Sequence, residues 1–124
     1  MVVAALVDSG ADGVWADGLL SPRPLAAPHL MPAEATNILR RASLAGDISA
    51  DAAGLAHGDL TDLRVDLFAF DPLADRIWAL RSNLTSYDAW YVALAESLAA
   101  PLATLDLRLV RSPGPRCEFL TPSR

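Results

Sequence analysis

Segments that read as strands alternate with segments that read as helices along the 124 residues, which predicts an α/β fold with a central parallel sheet flanked by helices. Short segments at residues 25–27, 102–104 and 118–120 have strand length and are separated by stretches of helical periodicity. Residues 64–70, Arg-Val-Asp-Leu-Phe-Ala-Phe, alternate as a strand does. Just over half the residues are hydrophobic (52%), enough for one domain spanning residues 1–124 to bury a core.

The elements follow in order. Residues 1–7 are apolar and are broken by Asp8-Ser-Gly-Ala-Asp-Gly13; residues 14–20 read as a short helix ended by Ser21-Pro-Arg-Pro24. After the 25–27 strand, Pro32 suits the first turn of a helix running through Arg41 to about Ala45, with Gly46 as its stop. Asp47 restarts a helix reaching about Leu60, and the 64–70 strand follows. Asp71-Pro72 opens the next helix, with Leu73, Ile77 and Leu80 on one face. Ser86 is the expected N-cap of a helix over residues 87–98. Residues 106–110 make a helical turn between the last two strands.

Composition removes several functional classes. No apolar run approaches the ~18 residues of a membrane span, and the opening residues lack the basic region of a signal peptide. A single cysteine, Cys117, forms no internal disulfide and fits a cytoplasmic protein. The net charge of −5 argues against a protein that coats nucleic acid, but not against an enzyme holding RNA through a few arginines and a metal. All ten basic residues are arginine.

Three acids carry the chemistry. Glu34 and Asp88 lie in the first turns of their helices, and Asp106 follows the 102–104 strand. In open parallel sheets, sites form where strands end and the following helices begin. Acids gathered there repel and raise one another's pKa values unless a cation relieves them. Mg²⁺ and Mn²⁺ prefer such hard oxygen ligands and polarise phosphoryl oxygens. Each acid also has a purely structural role open to it, because acids at helix starts favour the macrodipole and cap backbone N–H groups.

At these residues the chain resembles PIN-domain ribonucleases of the VapC toxin type. The matching phrases are Pro32-Ala-Glu-Ala-Thr-Asn-Ile-Leu-Arg-Arg41, Ile77-Trp-Ala-Leu-Arg-Ser-Asn-Leu-Thr-Ser-Tyr-Asp-Ala-Trp-Tyr-Val-Ala-Leu-Ala-Glu96 and Leu102-Ala-Thr-Leu-Asp-Leu-Arg-Leu109. The resemblance implies a three-layer PIN-like fold that cleaves RNA with Mg²⁺ or Mn²⁺, is neutralised by a cognate antitoxin, and forms a homodimer. It carries Glu34, Asp88 and Asp106 over as catalytic, metal-holding acids, with Asn37 and Thr104 as supporting polar neighbours.

The front of the chain departs from that pattern. The family opens with a hydrophobic strand ending in an aspartate and followed by an apolar helix. Residues 1–7 resemble that helix, so the first strand and its acid are expected to be missing and the domain truncated at its N-terminus. Asp8 imitates the lost acid, but the glycine-broken residues after it make a poor helix, and it lies closer to Glu34 than the pattern asks. This departure supports an alternative: a catalytically impaired PIN-like binding module that keeps its antitoxin surface.

Among other residues, Arg40, Arg41, Arg76, Arg81 and Arg108 are candidates for RNA phosphate contacts, Arg81 first because it lies just before the Asp88 helix. Trp78, Trp90 and Tyr91 are expected in core or dimer packing. His29, His57 and Cys117 have no partner at catalytic or ligand spacing.

Overall fold

The computed structural model describes residues 2–4, as backbone, and 24–122. Five parallel strands form one sheet in the order β3-β2-β1-β4-β5: β1 is Val2–Ala4, β2 Leu25–Pro28, β3 Asp66–Phe68, β4 Leu102–Ala103 and β5 Phe119–Leu120. The helices are α1 Met31–Leu44, α2 Ala50–Asp62, α3 Ala74–Ala79 (preceded by a 3₁₀ turn, Asp71–Leu73), α4 Ser86–Leu98 and α5 Leu107–Arg111. The α/β architecture expected from the sequence is therefore the one observed.

Val2–Ala4 overturns the reading of the opening residues as helix. Val3 is in register with Ala26 of β2 on one side and Leu102 of β4 on the other, so this segment fills the middle of the sheet. A helix of so few residues is marginal alone, and two β-branched valines favour extended backbone. Without a strand there, the facing edges of β2 and β4 would leave backbone groups unpaired in the core. Asp8, Trp15 and the helix expected over 14–20 lie outside the described residues.

Most other elements fall where the sequence put them, with boundaries that local chemistry explains. Pro32 occupies the first turn of α1, and Gly46 (φ +79°) ends it, with Asp47 N–H donating to the Ala42 carbonyl at 2.9 Å. Ser49, rather than Asp47, caps α2 by accepting from Ala52 N–H at 3.0 Å. Thr85, rather than Ser86, caps α4, accepting from Asp88 N–H at 3.1 Å. The strand expected over 64–70 shortens to the residues that pair with β2.

The core is centred on α4, which packs across β2, β1 and β4. From Tyr91 to Ala95 every residue is buried, so this helix is apolar nearly all round, as a helix enclosed by protein must be. Alanines at 89, 93 and 95 let the sheet and α3 approach closely, while Leu94, Leu102 and Val92 fill the remaining volume. Leu73, Ile77 and Leu80 are all buried, as their spacing predicts. No described helix is long and apolar enough to cross a membrane.

Candidate active site

The strand order reverses at β1, with β2 and β3 on one side and β4 and β5 on the other. A crevice at the carboxyl ends of the strands next to such a reversal is where open α/β sheets take their ligands. Glu34 follows β2 in the first turn of α1, Asp88 is in the first turn of α4, and Asp106 follows β4 as the N-cap of α5. All three line one cavity of about 170 Å³, together with Tyr91, Thr104 and apolar walls that include Ile38 and Leu109.

Each acid is held differently. The Asp106 carboxylate accepts from the backbone N–H groups of Arg108 (2.9 Å) and Leu109 (3.3 Å), and its own N–H donates to Thr104 Oγ1 at 3.0 Å. Thr104 is buried and so fixes where Asp106 leaves the strand. Glu34 Oε1 accepts from the Tyr91 hydroxyl at 2.8 Å. Burial, and next the charge of Asp106, push the Asp88 carboxyl above the usual range, with Thr85 and Arg108 opposing them. Burial first, then the bond to Glu34, push the Tyr91 phenol far upward, so it stays a neutral donor.

Among the described residues no three His, Cys, Asp or Glu side chains gather tightly enough to hold one ion between them. The three acids share a cavity without forming a closed cage. That donor set still fits Mg²⁺ or Mn²⁺, which commonly take one or two carboxylates and complete their shells with water. The like-charge pressure on Asp88 is the strain that a cation would remove.

Several sequence expectations are corrected. Asn37 does not support the acids: it is exposed and lines a separate groove between α1 and α2 with Arg40 and His57. At ~100° per residue, Asn37 lies about 60° off Glu34, on the side away from Ala35 and Ile38. Arg76 is not free for phosphate, because it is paired with Glu96 at 2.7 Å. Of the two packing roles expected for Trp78, the core one is excluded: it is 67% exposed, with the Arg81 guanidinium 4.5 Å from its ring centroid. Trp90 does pack on the core, edge-on to Phe70. Tyr91 is buried as expected, but its hydroxyl at the acid cavity was missed; the signal was its spacing of three from Asp88, which puts both on one helix face.

No protein-family model matches the chain. Among solved structures, PAE2754 from Pyrobaculum aerophilum superposes with a TM-score of 0.65 at 23% identity, over 95% of this chain and 87% of that one. FitAB bound to an IR36 DNA fragment gives a TM-score of 0.59 at 15% identity, over 98% and 94%. These likenesses establish the class of fold, a parallel α/β sheet flanked by helices.

The sequence relatives are closer. Ribonuclease VapC1 of Mycobacterium tuberculosis is 44% identical over 119 residues, 95% of this chain and 90% of its own length. VapC ribonuclease Mb0985 of Mycobacterium bovis is 36% identical over 122 residues, 98% and 93%. The chain belongs to the family of VapC-type PIN-domain ribonucleases.

Proposed function

We propose that this protein is a divalent-metal-dependent endoribonuclease of the toxin class, cleaving RNA phosphodiester bonds at the acid-lined cavity. The observation that carries the reading is the convergence of Glu34, Asp88 and Asp106 on one cavity at the strand ends, in a chain whose relatives are named ribonucleases. Asp88 and Asp106, with Glu34, would hold Mg²⁺ or Mn²⁺. The ion supplies Lewis acidity toward a phosphoryl oxygen.

The protein's own residues do the rest. Thr104 and the start of α5 fix Asp106 at the cavity. Arg108, whose side chain is 94% exposed and 3.8 Å from Asp106, sets a cation near that acid, suited to an RNA phosphate. Arg81, exposed against Trp78, offers a second phosphate contact. Neutralisation by an antitoxin and assembly as a homodimer belong to the same proposal and rest on family membership.

Single-stranded RNA incubated with the purified protein in Mn²⁺ tests the reading. Cleavage should appear, stop with chelator, and vanish in Asp88→Asn while the variant stays folded; unchanged cleavage by Asp88→Asn would remove that residue from the site. Calorimetric titration with Mn²⁺ checks the ligand set independently of cleavage, since Asp88→Asn should abolish the binding.

A further inference from the structure

We propose that Tyr91 is a positioning residue for the acid cavity: its hydroxyl holds one oxygen of Glu34 so that the other is presented toward Asp88 and Asp106. The inference rests on the cation-binding reading of that cavity.

Tyr91 lies one helical turn beyond Asp88, and only 6% of its surface is exposed. Its ring belongs to the core cluster, so the two torsions that place the hydroxyl are set by packing. Glu34 has three side-chain torsions and lies partly exposed in the first turn of α1, and its carboxylate has no other hydrogen-bond partner among the described residues. The bond between them, 2.8 Å long, joins residues 57 apart in sequence and links α1 to α4. A phenylalanine would fill the same core volume without a polar group to desolvate. What the hydroxyl adds at this position is its bond to Glu34.

A carboxylate held in this way has one free oxygen in a defined direction. Groups that orient metal ligands from behind commonly matter about 10- to 100-fold for metal affinity. Tyr91 also sets the separation of Glu34 and Asp88, because it contacts the first directly and shares a rigid helix with the second.

Tyr91→Phe, titrated calorimetrically with Mn²⁺ alone beside the unmodified protein, tests the role, with thermal unfolding followed on both. The expected result is a Kd for Mn²⁺ raised about 10-fold. In a Glu34→Gln background, Tyr91→Phe should weaken Mn²⁺ no further, because the hydroxyl acts through Glu34. A Kd within twofold of the unmodified protein overturns the proposal whatever the melting temperature does, and so does an additive loss in the double variant. Asp88→Asn keeps the two levels apart. If Asp88→Asn loses Mn²⁺ while Tyr91→Phe keeps it, the positioning role alone fails. If the unmodified protein binds none, or Asp88→Asn binds as well as it does, the cation reading fails and takes this proposal with it.

Discussion

Glu96→Ala should cost about 3 kcal/mol of stability and leave the cavity residues in place. The carboxylate accepts from Arg76 Nε at 2.7 Å, Arg76 Nη2 at 3.1 Å and the backbone N–H of Arg116 at 2.7 Å. Arg76 also donates to the Gly114 carbonyl at 2.9 Å, so one acid ties α3, α4 and the loop leading to β5 together. The side chains of Arg76 and Glu96 are 28% and 16% exposed, between the surface case and the buried one. An exposed pair contributes ~0.2–1 kcal/mol, whereas breaking a buried one costs ~3–5 kcal/mol. Three bonds to a charged acceptor, partly shielded, place this cluster near the lower end of the buried range. With an unfolding entropy of ~2.1 cal/mol/K per residue over 124 residues, that loss lowers Tm by about 11 °C. Thermal unfolding at neutral pH, followed by far-ultraviolet circular dichroism, measures it.

The pH dependence supplies a second check on the same cluster. Burial raises the Glu96 carboxyl, but Arg76 and Arg116 outweigh it, and its folded-state value falls below the ordinary 4.5. Its stabilisation is then complete above pH 4.5 and is lost as the pH falls through the lowered value. The gap between the unmodified protein and Glu96→Gln should hold at neutral pH and close in acid. A Tm shift of Glu96→Ala under about 3 °C, or a gap that widens in acid, would refute the reasoning.

Two further outcomes follow from local chemistry. Asp88 has the opposite sign to Glu96: its folded-state value is raised, so the ionised acid opposes folding above it, and stability rises as the pH falls toward the ordinary 3.8. Asp88→Asn should therefore melt higher than the unmodified protein at neutral pH, with the difference vanishing below pH 3.8; a lower melting temperature at neutral pH contradicts the assignment. Ala99 ends α4 in the left-handed region (φ 50°, ψ 43°), with Ala100 N–H bonded to the Ala95 carbonyl at 3.0 Å, an arrangement that favours glycine. Ala99→Gly should gain about 0.5–1 kcal/mol in urea unfolding, the relief of strain exceeding the added freedom of the unfolded chain.

What the sequence made legible was periodic or punctuated. Pro32 and Gly46 bracket α1, Leu73, Ile77 and Leu80 share the buried face, and the acids fall at element starts because strand ends and helix starts meet at one edge. The opening residues misled because a short apolar run has no period to decide between helix and strand, and the empty middle of a sheet settled the matter. Thr85 and Ser86 are equally good caps on paper; the extended backbone of Thr85 (φ −64°, ψ 158°) decided in its favour. Asn37 came over with the family pattern, and spacing alone could not test it: three residues from Glu34, it sits on the flank of α1 that faces the groove against α2 rather than the cavity. Arg76 and Glu96 lie twenty residues apart, a long-range pairing that no local rule discloses.

The central claim is that three carboxylates act together at one cavity. RNA cleavage in Mn²⁺ by Glu34→Gln, Asp88→Asn and Asp106→Asn, each confirmed folded, tests it most directly. The account predicts that every single variant falls to background and that the triple variant is no worse, as expected for residues acting as a unit. Cleavage at the unmodified rate by any one of the three would contradict it.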